Sequence, residues 1–269
     1  NQSSEFLSYG SRFQIDLLKF TLGAQIINSN LIVANRFTQS LAEFGFTLGY
    51  NISEKLSVGG GMGLLNIQGE NRKSIGNLFA RYYVKDKYDV NFLYDDNDAR
   101  ITLAAPLLIY TQIDAYRYLL SGKFNIKKPA LSIFSKFQYF NLSDGNIGND
   151  FLVKIGKDFQ YDTKGGYEFY FIDFGFSSNR YYSQNEFYYH TLWGEWTFHK
   201  DEEVEAKVGG KLGYAPLLDI TISEITGTAQ YQVAPNLVVS AQAAYGNNFR
   251  YDTGYKYLSA YLSAYFSLE

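Results

Sequence analysis

The residues that most often do chemistry are scarce in this sequence. His190 and His199 are its only histidines and it has no cysteine, so a thiolate metal site is excluded and a histidine cluster has too few members. Ser183 and His190 make the one nucleophile–base pair worth weighing, but both histidines fall near expected strand ends, where an interfacial role is commoner. The stretch SVGGGMG at 57–63 has the glycine density of a phosphate loop, yet it lacks the lysine and the following helix. Bare glycines in a strand more often let a bulky neighbour, such as an aromatic ring, lie across them. No catalytic residue, metal site or cofactor is expected, and the chain reads as a non-enzyme.

Charge narrows the partners. The net charge is −3 and the pI about 5.5, whereas nucleic acid requires a concentrated basic surface. The first residues, NQSSEFLSYG, show no basic segment followed by an apolar one, so a signal peptide is expected to have been removed, or the sequence to be part of a longer chain. No apolar run approaches the length of a membrane helix. The mean hydropathy of −0.22 resembles that of a soluble protein, but it averages away any alternation between apolar and polar faces.

Alternation is what the sequence has in abundance. In the closing segment, Leu258, Ala260, Leu262, Ala264, Phe266 and Leu268 fall on one side, opposite Tyr257, Ser259, Tyr261, Ser263, Tyr265 and Ser267. NLVVSAQAAYG, EVEAKVGGKLGY and EITGTAQYQV repeat the scheme. A period of two sustained over ten or so residues predicts strands, and no segment keeps a helical period. Short polar turns are expected near Ser53, Asp86, Lys128, Thr163, Lys200 and Pro235, with a chemically weak seventh near Leu17 to Lys19. Between them NLSDGNIGND, SSNRYYSQNE and GNNFRYDTGY are expected as longer loops. Strands of about ten to fifteen residues exceed what a soluble sandwich uses and suffice to cross a bilayer at a tilt. Lipid cannot satisfy backbone groups, so such a sheet must close on itself.

The fold expected is therefore all-β, one transmembrane antiparallel up-and-down β-barrel over residues 1–269, located in a bacterial outer membrane. Seven turns plus the last strand give fifteen strands. Because barrels of this kind are even-numbered, sixteen are inferred, the first being missing or misread, with fourteen or eighteen as the alternatives. Tyr50, Tyr82, Tyr83, Tyr139, Phe159, Tyr214 and Tyr245 are expected to form interfacial girdles. The segment ARITLAAPLLIYTQ at 99–112 breaks the alternation; an irregular strand is the favoured form, an inward constriction the alternative.

Two loop motifs resemble one group of such barrels. Ser143, Asp144, Gly145 and Asn146, together with the run Tyr181, Tyr182, Ser183 to Tyr188, resemble patterns in the C-terminal barrels of exopolysaccharide export porins. That group includes exporters of poly-N-acetylglucosamine and cellulose, in which the barrel follows a periplasmic TPR scaffold. Gln184 departs from the pattern, standing where the group usually has proline. Taken alone, Asp144-Gly145 and Asn185 also read as ordinary turn formers. The resemblance implies a passive conduit for an exported biofilm polysaccharide, extracellular placement of both motifs, an upstream TPR region with an inner-membrane synthase as partners, and insertion by the barrel-assembly machinery. A general diffusion porin for small solutes is the other reading.

Extending the apolar phase strand by strand leaves a charged set on the opposite side: Arg12, Glu43, Arg81, Asp89, Arg117, Lys123, Lys136, Lys154, Glu195, Glu205, Lys207, Lys211 and Glu224. These are the expected lumen-lining residues. Their mixed signs argue against a strongly charged cargo and for a neutral or weakly charged sugar. At least half are expected to brace the wall as salt bridges.

Overall fold

The computed structural model describes all residues except 1–3, 34–36, 104–105, 110, 128–129, 182, 236, 251–252 and 267–269, and describes some others, Arg12 among them, by backbone alone. Fifteen antiparallel strands follow one another in chain order, each hydrogen-bonded to the next. They are β1 (Ser4–Leu17), β2 (Phe20–Val33), β3 (Phe37–Asn51), β4 (Leu56–Ile67), β5 (Lys73–Val84), β6 (Tyr88–Asp98), β7 (Asp114–Ile126), β8 (Leu131–Leu142), β9 (Ile147–Asp158), β10 (Thr163–Phe174), β11 (Phe187–Lys200), β12 (Val204–Ala215), β13 (Ile220–Ala234), β14 (Leu237–Arg250) and β15 (Thr253–Phe266). The sixteenth strand that an even count asks for has no counterpart among the described residues.

The alternation sets the register. Across β12 to β15, Leu212 pairs with Ser223, Ile225 with Tyr245, and Tyr245 with Leu258, so one row of like-facing residues crosses the strands. This face leaves large apolar groups open: Leu212 is 62 % exposed and Leu262 79 %. In β2 to β5 the same holds for Leu22, Leu48 and Leu78, and Met62 is 76 % exposed. Water would penalise so much bare hydrocarbon, whereas an apolar surround would not. Leu212→Arg should therefore destabilise the protein in lipid by about 2–4 kcal/mol. Denaturant titration in bilayers checks it, with Lys211→Arg on the other face as a near-neutral control.

Contacts divide the chain into two units. The first comprises residues 1–122, 136–150 and 172–185. Its buried apolar cluster is Leu31, Leu41, Leu65 and Ile67, with Ile75, Ile101 and Ile109 packed against it. The four strand residues carry the opposite phase to the exposed rows, so this core lies on the polar face. The second unit comprises 123–135, 151–171 and 186–269. There Tyr189 and Thr191 are buried on the polar side of β11 while Leu192 and Trp196 are open on the other.

Several expectations change. Residues 99–112 are not an irregular strand: Ala99–Thr102 form one helical turn, α1, and Pro106–Leu108 a short 3-10 turn. The segment folds onto the polar face because Ile101 and Ile109 find the Leu31–Ile67 cluster there. NLSDGNIGND is mostly strand, since β8 ends at Leu142 and β9 begins at Ile147. Gly145 at φ +87 closes that tight connection, a backbone that a side chain would strain. GNNFRYDTGY is strand up to Arg250, and Asn247 bonds across to Thr221 and Ser223 of β13. The weak turn after Leu17 does form, with Leu18 at φ +52. Tyr83 leaves the girdle: it is in register with Asp89 on the polar face, and the Arg81 guanidinium lies 5.0 Å from its ring centre.

Candidate functional site

The polar face of the first unit is an ordered arrangement of charges neutralised by neighbours. Arg81 in β5 grips Asp89 in β6 through two bonds, Nε to Oδ1 at 2.9 Å and Nη2 to Oδ2 at 2.7 Å. Arg117 reaches Asp95 at 3.0 Å, and Lys136 reaches Asp150 at 3.4 Å. Glu43 is buried and accepts a bond from the Gln25 amide. Lys73 holds Asp114 at 2.6 Å and the Asn97 carbonyl at 2.9 Å. The side chain of Arg12 lies outside the described residues; its backbone is in register with Gln25.

In the second unit Lys211 lies 3.6 Å from both Glu168 and Glu224, and Lys207 is 3.1 Å from Glu205. The Lys154 ammonium sits 3.9 Å from the centre of the Trp193 ring, a cation–π contact. Glu195 shares the phase of Thr191 and Trp193 and is half-buried, and Lys123 is exposed. Sequence reasoning missed Lys73, Asp95, Asp150 and Glu168. All four share the polar phase, and each completes a pair with a residue the phase does single out or with Asp114. The two-residue period carried that signal; what it lacked was the cross-strand register.

The motifs at 143–146 and 181–183 meet. The Tyr181 hydroxyl donates to Asp144 Oδ2 at 2.7 Å and accepts from Asn146 Nδ2 at 2.9 Å. Asn146 also bonds both backbone groups of Phe176, at 2.9 and 3.2 Å. Ser143 exchanges bonds with the Asp114 backbone, at 2.8 and 2.9 Å. Tyr181 and Asn146 are fully buried, and Tyr181 packs edge-on against Phe174, which stacks on Phe140. Desolvation, and Asp144 accepting its proton, hold the Tyr181 phenol well above its ordinary pKa. Asp144-Gly145 is thus a turn former and also one half of a clasp that pins the 175–186 loop. Tyr182 lies outside the described residues. Ser183 Oγ accepts from the Ser178 amide at 2.6 Å, while His190 Nδ1 is engaged by the Tyr167 hydroxyl on the apolar side.

A second fastening holds the segment after β6. Arg100 is completely buried, donating to Asp98 at 2.8 and 2.9 Å, to Glu70 at 2.6 and 2.9 Å and to Gln39 at 2.9 Å. Asp98 also caps α1 by accepting from the Arg100 amide at 2.9 Å. No simple pattern in the sequence marks this cluster, which draws on β3, the β4–β5 loop, the end of β6 and α1. The guanidinium beside Glu70 holds that carboxyl below its ordinary value of 4.5. A depressed carboxylate stabilises above its unfolded pKa and loses the contribution as pH falls through the depressed one. The fastening should thus be intact from neutrality to about 4.5 and weaken below it. Proteolytic sensitivity at 99–112 against pH checks this, and Glu70→Gln should flatten the profile.

Beside Ile101 of this segment the first unit has an open-sided pocket of about 870 Å³. Its wall is mixed: amides and hydroxyls such as Gln14, Gln25, Thr47, Asn77 and Asn91 stand beside the charged Glu43, Arg81 and Arg117 and apolar groups that include Phe79 and Ile101.

No family model matches the sequence, and no curated protein matches it. Solved structures do share its fold. One described as "Bacterial polysaccharide outer membrane secretin" is similar at a TM-score of 0.74 and 9 % identity, over 96 % of this chain and 89 % of that one. The "CymD monoaromatic hydrocarbon channel" is similar at 0.52 and 10 % identity, over 99 % and 86 %. OccK11 (OpdR) of Pseudomonas aeruginosa is similar at 0.50 and 8 % identity, over 98 % and 90 %. At such identities the likeness concerns architecture alone: the chain has the up-and-down antiparallel fold of outer-membrane β-barrels.

Proposed function

We propose that the protein is a porin of the bacterial outer membrane and a passive conduit for export of a polysaccharide, with lipid against its apolar face. The observation that carries this reading is the self-neutralised polar face. Arg81, Arg117, Lys136, Lys207 and Lys211 each meet a carboxylate, so no single sign of charge dominates. Amides, hydroxyls and aromatic rings remain to hold a neutral or weakly charged sugar chain by many weak contacts, which permits sliding rather than capture. On this reading the thirteen charges named from the alternation line the path, and the clasped motifs stand at its extracellular end. Likeness in fold to a polysaccharide secretin supports the choice of cargo. Insertion by the barrel-assembly machinery, and an upstream TPR scaffold working with an inner-membrane synthase, belong to the same proposal.

The Arg100 and Tyr181 fastenings favour a gated path. Proteoliposome swelling tests this: the exporter should admit small sugars poorly, and deleting 99–112 should open it. Free passage of small sugars through the unaltered protein would favour instead a general diffusion porin, the reading suggested by its likeness to a hydrocarbon channel.

A further inference from the structure

Given the reading of the polar face as a glycan path, we propose that Phe79 is a stacking platform on which a pyranose ring rests as the chain passes. Phe79 in β5 is in register with Gly59 in β4, which is in register with Gly49 in β3. A Cβ added to Gly59 would stand 2.8 Å from Phe79 Cε1, and one added to Gly49 would stand 3.5 Å from its Cζ. The aromatic ring therefore lies along the wall, across β4 and toward β3, over two positions that carry no side chain.

Phe79 also lines the 870 Å³ pocket of the first unit, so its ring is within reach of whatever occupies that space. Trp193, by comparison, carries the Lys154 ammonium over its ring. Among the described residues no cation or second ring is stacked on Phe79. A pyranose has the complementary shape, with C–H groups on one face and hydroxyls around the edge. The C–H face fits the phenyl ring, while Asn77, Asn91 and Thr47 on the same wall offer partners to the hydroxyls. Phe79 binds no charge and fixes no linkage, so its ligand class is a neutral sugar chain.

The test is current blockade in planar bilayers by soluble cello- and chito-oligosaccharides, with the full chain and with Phe79 variants. Phe79→Leu keeps an apolar side chain and removes the flat face. It should shorten each blockade about tenfold, as Phe79→Ala should, whereas Phe79→Trp should match or lengthen the wild-type dwell. Blockades in Phe79→Leu as long as in wild type would overturn the platform and leave the glycan path standing. A channel opened by deletion of 99–112, with Phe79 intact, that conducts ions and that no oligosaccharide blocks would overturn both. Heat-modifiable migration of each variant verifies that the sheet is formed.

Discussion

Replacing Arg100 with alanine should release the segment between β6 and β7 and raise single-channel conductance in planar bilayers. The substitution leaves Asp98, Glu70 and Gln39 buried without their donor. Breaking a buried ion pair by removing one partner costs about 3–5 kcal/mol. If that cost falls on the closed segment, the closed-to-open ratio drops by roughly a hundredfold to several thousandfold. The strands should be little affected, because the fastening touches them only at Gln39 in β3 and at Asp98, the last residue of β6. Arg100→Lys should fall between, since a point charge cannot reproduce a fork of five donors. Unchanged conductance in Arg100→Ala, with proteolysis showing the segment loosened, would remove this segment from the gate.

Tyr181→Ala should have an effect of similar size on the 175–186 loop. A fully buried aromatic ring packed against Phe174 is lost, and large-to-small changes of this kind cost about 3–5 kcal/mol. The exposed Asp144 and the buried Asn146 also lose a partner. Hydrogen exchange should show the loop amides, and those of 143–146, opening faster by orders of magnitude while β8 and β9 keep their protection. Tyr181→Phe separates packing from bonding: it keeps the ring, deletes the hydroxyl, and should cost about 1–3 kcal/mol. Equal exchange in Tyr181→Phe and wild type would mean the hydroxyl bonds contribute nothing to holding the loop.

What the sequence revealed and what it hid have separate physical causes. Alternation is local, so EVEAKVGGKLGY shows without any partner that Leu212 and Lys211 point opposite ways. Six of the turns likewise advertise themselves through Gly, Pro, Asn, Asp and Lys. The seventh did so poorly, because Leu18 adopts a left-handed backbone that leucine disfavours. The glycines of SVGGGMG signalled that something bulky lies over them, but not that it would be Phe79, which depends on the register of β4 against β5. Cross-strand register likewise decides that Lys136 meets Asp150 and Arg117 meets Asp95. The inward fold of residues 99–112 was least legible. One helical turn is too short to show a period, and Ile101 and Ile109 are drawn in by Leu31, Leu41, Leu65 and Ile67, which lie far away in sequence.

All of this depends on one face of the sheet meeting hydrocarbon and the other meeting water. The native chain has no cysteine, so single substitutions give clean probes. Glu224→Cys, Ile225→Cys and Thr226→Cys place a thiol at three consecutive positions of β13. In proteoliposomes a membrane-impermeant maleimide should label the first and third and spare the second. A fluorophore attached at position 225 by a lipid-soluble maleimide should be quenched by spin-labelled acyl chains. Equal aqueous labelling at all three positions, or protection of 224 and 226 with labelling of 225, would contradict the account.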